Sequence, residues 1–153
     1  MVLTQILHLD CVKVPLQGKD KQSVIVELVD LLNERGLLSN RDIVLKAVLA
    51  REKTRSTGIG SGVAVPHGKC NGVRELVMAF GLANEPIEFE SIDGKPVKII
   101  ILLVSPANET GPHIQALARI SRLMLDGQFK QRLEEMTSAE ELYELISEKE
   151  SKE

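Results

Sequence analysis

Apolar residues in the first third of the chain recur every three or four positions. In "DKQSVIVELVDLLNERG", Val24, Leu28 and Leu31 line one face with Ile25 and Leu32 beside them, which predicts a helix stopped by Gly36. "LLSNRDIVLKAVLARE" predicts a second helix. Ser39 and Asp42 are spaced nearly as a capping box, Ile43, Ala47 and Ala50 repeat along it, and its end falls near Arg51 and Glu52. The period then changes. "VAV" before Pro66 is extended, because a residue preceding proline avoids the helical region. "ELVMAFGLA" and "VKIIILLVS" predict strands, joined through an Asp93–Gly94 turn. The second is continuously aliphatic, as a strand covered on both faces should be. Helical spacing returns after Gly111, with Pro112 suited to the first helical position and Ile114, Leu117, Ile120 and Leu123 or Met124 on one stripe. "FKQRLEEM" is a short helix. "TSAEELYELISEK" is a last one, opened by Thr137 and Glu140 and turning Leu142, Leu145 and Ile146 inward. Helices before, between and after central strands indicate an α/β fold.

Composition narrows the class. At 153 residues the chain fits one domain spanning 1–153, with "EKESKE" (148–153) expected as a frayed tail. A domain of this size buries roughly 70% of its unfolded surface, enough for a core without staples. Aromatics make up only 3%, so Ile, Leu, Val, Ala and Met must fill that core. With a net charge of −3, no basic stripe and no interleaved aromatics, nucleic-acid binding is disfavoured. The longest aliphatic run, Ile99 to Val104, has six residues and cannot span a bilayer. The start of the chain lacks the features of a signal peptide, and Cys11 and Cys70 show no framework spacing, so a cytoplasmic protein with idle thiols is expected.

Candidate chemistry gathers in "GIGSGVAVPHG", Gly58 to Gly68. Pro66 and Gly68 constrain the backbone on either side of His67. Gly58, Gly60 and Gly62 allow main-chain N–H groups to approach an anion such as phosphate. No GK[ST] follows, so this is not a Walker loop. On spacing alone a turn or packing role is the commoner one for such a histidine. His113 follows Pro112 in the first turn of a helix, where free N–H groups and the helix dipole attract phosphate and disfavour a protonated imidazole. A neutral imidazole there is chemically useful; an exposed first-turn residue is the plainer alternative. Arg51, at a helix end, could grip a phosphoryl group with its planar fork or simply be solvated. His67, Cys70 and His113 are also a conceivable zinc set, but without a second ligand pair. His8 reads as a surface or structural residue.

The run "EKTRSTGIGSGVAVPHG" (52–68) resembles the active-site segment of the fructose/mannitol-type enzyme IIA domains of the bacterial phosphoenolpyruvate-dependent sugar phosphotransferase system, a family that includes the nitrogen-regulatory IIA proteins. Glu52, Ile59, Gly60, Val63, Ala64, Val65, Pro66, His67 and Gly68 fill each place of its signature. "FESIDGKPVKIIILLVSPANETGPHIQALARISRLM" is similar to the family's second block, so the likeness spans the chain.

The resemblance implies a mixed sheet of about five strands flanked by helices on both faces. It implies that His67 carries a phosphoryl group at Nε2, that His113 and Arg51 are its active-site partners, and that Thr57 supplies a hydroxyl near the phosphate. Gly60, Gly62 and Glu52 complete the expected phosphoryl-binding set. The implied activity is phosphotransferase, with His67 accepting from the phosphocarrier HPr and passing the group to a IIB-type acceptor in sugar uptake. The alternative is a nitrogen-regulatory protein whose phosphorylation state controls binding to regulatory targets. A binding module with an unphosphorylated His67 is a third reading. No metal or cofactor is needed for the transfer, and no nucleic-acid partner or membrane insertion is expected.

Overall fold

The computed structural model describes residues 2–152. Two 3-10 turns, Leu3–Gln5 and Leu9–Cys11, lead into strand β1 (Val12–Lys13). Helices α1 (Lys21–Glu34) and α2 (Arg41–Thr54) precede strands β2 (Gly58–Gly60), β3 (Val63–Ala64), β4 (His67–Cys70), β5 (Val77–Ile87) and β6 (Val97–Pro106). Helices α3 (Thr110–Met124), α4 (Gly127–Glu134) and α5 (Ala139–Ser151) follow.

The sheet is mixed, in the order β1-β5-β6-β3-β2, with β4 also paired to β6. β6 runs antiparallel to β5 and parallel to both β3 and β4. Val63 faces Ile99 and Ala64 faces Ile100; in the same register His67 faces Leu103 and Gly68 faces Val104. β3 and β4 are therefore two pieces of one row, interrupted at Val65–Pro66. The six strands form five rows, in line with the sheet expected from sequence. Pro66 has no N–H to give the ladder, but its carbonyl accepts from the Leu103 N–H at 3.0 Å. The Val65 N–H turns away to the Thr57 carbonyl, also 3.0 Å.

From Ile99 to Ser105 every residue of β6 is buried, which requires cover on both faces. The helices form two groups: α1 packs on α2 and β5, and α2 lies over β4, while α3 packs on α4 and β6 and α5 lies against β1. Gly68 permits the α2 contact, since a Cβ there would lie 3.3 Å from Val48. Strand alternation then sends His67 and Lys69 to the opposite face.

Three sequence expectations shift. α2 is capped by Asn40, whose side chain accepts from the Ile43 N–H, and it runs past Glu52 to Thr54. Its inward residues are Val44, Val48 and Glu52, and Ile43 is exposed, because packing on β4 sets the helix phase. In α3 the cap is Glu109, so Pro112 is the third helical residue rather than the first. His113, Ala116, Ile120, Leu123 and Met124 point inward, and Ile114 is 58% exposed. Helix α5 continues through Ser151, into the segment expected as a tail. Glu150 there is buried and accepts the Leu3 and Thr4 N–H groups at 2.6 and 3.1 Å, stapling the two ends together; residue 153 lies outside the described residues.

Candidate functional site

His67 opens β4, immediately after the break in the strand row. Its Nδ1–H donates to the Val65 carbonyl at 2.8 Å. A carbonyl can only accept, so the neutral ring must hold its proton on Nδ1, and Nε2 carries the free lone pair. Residues 65–67 thus orient a half-buried imidazole and select the nitrogen that can attack.

His113 enters from α3 on the same face. The two ring centroids are 5.4 Å apart with planes tilted by 60°. His113 is buried, and its Nδ1 lies 2.7 Å from Ser105 Oγ, itself fully buried. Both rings are held neutral. Burial chiefly pulls the His67 pKa below its ordinary 6.5; the Val65 hydrogen bond opposes this, the Arg51 and Lys69 charges add to it, and Glu52 opposes it. For His113, burial followed by the charges of His67 and Lys69 pushes the pKa down to about 4.

Arg51 stands in the last turn of α2, close enough for its charge to act on His67. One guanidinium nitrogen donates to the Arg55 carbonyl at 2.8 Å, which anchors the side chain and leaves its other N–H groups for an anion. Arg51, His67 and His113 are thereby brought together from α2, β4 and α3.

Glu52 and Thr57 are also adjacent, but they face each other. The buried Glu52 carboxylate accepts from the Thr57 N–H at 2.8 Å and from the Thr57 hydroxyl, and pairs with Lys21 Nζ at 2.8 Å. These bonds tie the end of α2 to the strand that follows, so the Thr57 hydroxyl is already committed and Glu52 supports the site as an acceptor. Gly60 and Gly62 fall outside it, which corrects the phosphate-cradle expectation. With φ of +95° and +83°, they form the bend of the β2–β3 hairpin around Ser61. The Ser61 N–H donates to Asp93 Oδ2 at 3.0 Å, so a carboxylate fills that position. His67 lies five residue steps beyond Gly62 along extended chain, roughly 16 Å.

Sequence reading missed Lys69 and Ser105. Lys69 lies two residues past His67 on a strand, hence on its face. Ser105 is the hydroxyl ending the aliphatic run of β6. Among the described residues, no three His, Cys, Asp or Glu side chains are grouped to hold a metal ion, and Cys70 alternates to the face opposite His67. No helix of the described residues is long and apolar enough to cross a membrane.

A family model described as "Phosphoenolpyruvate-dependent sugar phosphotransferase system, EIIA 2" matches residues 5–149. The chain belongs to this EIIA family. Its chemistry is therefore that of a phosphotransfer component. The nitrogen regulatory protein of Klebsiella oxytoca is 35% identical over 147 residues, covering 95% of this chain and 90% of that protein. The fructose-specific EIIABC component of Bacillus subtilis is 32% identical over 96% of this chain, which spans only 23% of that longer protein. Among solved structures, the nitrogen regulatory protein IIA-Ntr of Neisseria meningitidis superposes with a TM-score of 0.82 at 31% identity, covering 94% of this chain and 98% of that one. The IIA mannitol enzyme of Escherichia coli, in a complex with phosphorylated IIB, shares the fold with a TM-score of 0.80 at 23% identity, over 93% and 99% of the two chains.

Proposed function

We propose that this protein is a phosphocarrier that accepts a phosphoryl group from phospho-HPr on Nε2 of His67 and passes it to a IIB-type acceptor. The observation that carries this reading is the bond from His67 Nδ1–H to the Val65 carbonyl, which leaves Nε2 as the nucleophilic nitrogen. As the new P–N bond forms at Nε2, the P–N bond of the donor phosphohistidine breaks. The donor ring leaves with that electron pair, and His67 keeps its Nδ1 proton on Val65. Arg51, His113 and Lys69 stabilise the charge spread over the equatorial oxygens in the in-line transition state. The acceptor then attacks the same phosphorus, so the kinetics are ping-pong.

The test is intact mass after mixing the protein with phosphoenolpyruvate, enzyme I and HPr, for wild type and His67→Ala. One acid-labile phosphoryl gain in wild type, absent in the variant, supports the assignment. Labelling that persists in the variant overturns it.

A regulatory output is the second reading. It is favoured by the nitrogen regulatory proteins that match at 33–35% identity over nine tenths of their own length. In that case the same phosphohistidine controls binding to target proteins. Phosphoryl transfer to a purified IIB domain, compared with phosphorylation-dependent capture of a regulatory target, separates the two.

A further inference from the structure

We infer that Ser105 is a positioning residue that locks His113 in the Nε2–H tautomer, giving the site a fixed hydrogen-bond donor on the ring that neighbours His67. The placement follows from register. His67 faces Leu103 and Lys69 faces Ser105 across the β4–β6 pair, so Ser105 projects to the same face as both His67 and Lys69. α3 lowers His113 onto it, with Ser105 Oγ and His113 Nδ1 2.7 Å apart and both residues buried.

A hydrogen bond between a hydroxyl and an imidazole nitrogen has two possible directions. If Nδ1–H donated to Oγ, the serine hydroxyl hydrogen would need another acceptor. Among the described residues Ser105 Oγ has no other recorded partner, so that arrangement buries an unpaired donor. If the hydroxyl donates to Nδ1, every polar hydrogen of the pair is used. The imidazole proton then belongs to Nε2, which has no hydrogen-bond partner among the described residues and is not sealed from solvent. The two histidines are consequently held in opposite tautomers. The Val65 carbonyl keeps the proton of His67 on Nδ1, and the Ser105 hydroxyl keeps that of His113 on Nε2. One ring presents a lone pair and the other an N–H. A lone pair on both would repel phosphoryl oxygens at the second position. Ser105 stands where an aliphatic residue would simply extend the apolar run of β6, which gives its hydroxyl a specific task.

The tautomer lock is a property of the unphosphorylated protein; its effect on rate rests on the proposed role of His67. Long-range proton–nitrogen correlation spectra of the imidazoles at pH 7.5 read it directly, in wild type, Ser105→Thr and Ser105→Val, the last two differing in the hydroxyl at nearly equal volume. In wild type and Ser105→Thr, His113 should show a protonated Nε2 and a pyridine-type Nδ1 shifted upfield by an accepted hydrogen bond. In Ser105→Val that upfield shift should disappear or the proton should redistribute to Nδ1. A protonated Nδ1 in wild type, or a His113 spectrum unchanged in Ser105→Val, overturns the inference. Single-turnover transfer from phospho-HPr provides the kinetic readout. Ser105→Val should lower the saturating rate on the order of tenfold, less than the 10²–10³ for deleting such a donor outright. Half-saturation by HPr should stay unchanged, and threonine should restore the rate. A full rate in Ser105→Val with the Nδ1 shift lost would overturn the catalytic half. Absence of transfer in wild type with the expected spectra would instead overturn the role given to His67.

Discussion

Where the β3–β4 row resumes after its break, His67 has a second imidazole 5.4 Å away and a helix-end arginine near enough for its charge to act on it, with its proton held by Val65. Where the row begins, Gly60 and Gly62 turn a hairpin whose central N–H is taken by Asp93. Both regions belong to one eleven-residue stretch and both are built from glycine and constrained backbone. Only the first has a free nucleophile and uncommitted positive charge. In the second, a neighbouring carboxylate already neutralises the donor that would have made an anion site. Glycine at a positive φ marks a bend, and whether that bend faces a ligand depends on what packs beside it.

Substitutions at the two ends should separate this contrast sharply. The largest effect belongs to His67→Ala, which should abolish phosphoryl acceptance in the mass measurement with enzyme I and HPr. Next come His113→Ala and Arg51→Gln, each expected to slow single-turnover transfer by about 10²–10³ while thermal unfolding stays cooperative, since each removes a donor from the transferring group. Unchanged rates in either variant would take that residue out of the mechanism. Glu52→Ala should act mainly on stability. It leaves two buried Thr57 donors without an acceptor and Lys21 with only Glu90 as its anion, and urea unfolding should report a loss of about 2–4 kcal/mol. Gly60→Ala and Gly62→Ala should cost about 1 kcal/mol each for the strained φ and leave transfer within twofold of wild type. A rate loss at either glycine comparable with that at Arg51 would mean that the hairpin does reach the phosphoryl group.

The last effect is on the pH dependence of stability rather than on transfer. His113 binds its proton only near pH 4 when folded, against an ordinary value of 6.5. Between these values the unfolded chain takes up a proton that the folded one refuses. The contribution of neutral His113 is therefore complete above about pH 6.5 and is lost as the pH falls toward 4. Urea midpoints measured across that window should fall less steeply in His113→Asn than in wild type.

Much of this was legible before any coordinates. The aliphatic run of β6 required a strand covered on both faces, helical spacing placed α1, α4 and α5 closely, and the residues before Pro66 are extended as expected; the break that splits their row into β3 and β4 was not read from the sequence. Helix phase was less legible in α2 and α3, because Ile43 and Ile114 fit an apolar stripe as well as Val44 and Ala116 do. What decided between them was packing against β4 and β6, a contact between residues distant in sequence.

The sequence by itself determined the residue types able to do phosphoryl chemistry, the constrained backbone at His67, and the family signature that contains them. Those are local properties, set by proline, glycine and short-range periodicity. Tertiary structure alone decided which of these residues meet. It joined Arg51, His67 and His113 from three separate elements, carried Gly60 and Gly62 away along an extended strand, and placed Ser105 under His113. Side-chain proximity and proton placement depend on register and helix phase, and both are fixed only when the sheet and its covering helices pack together.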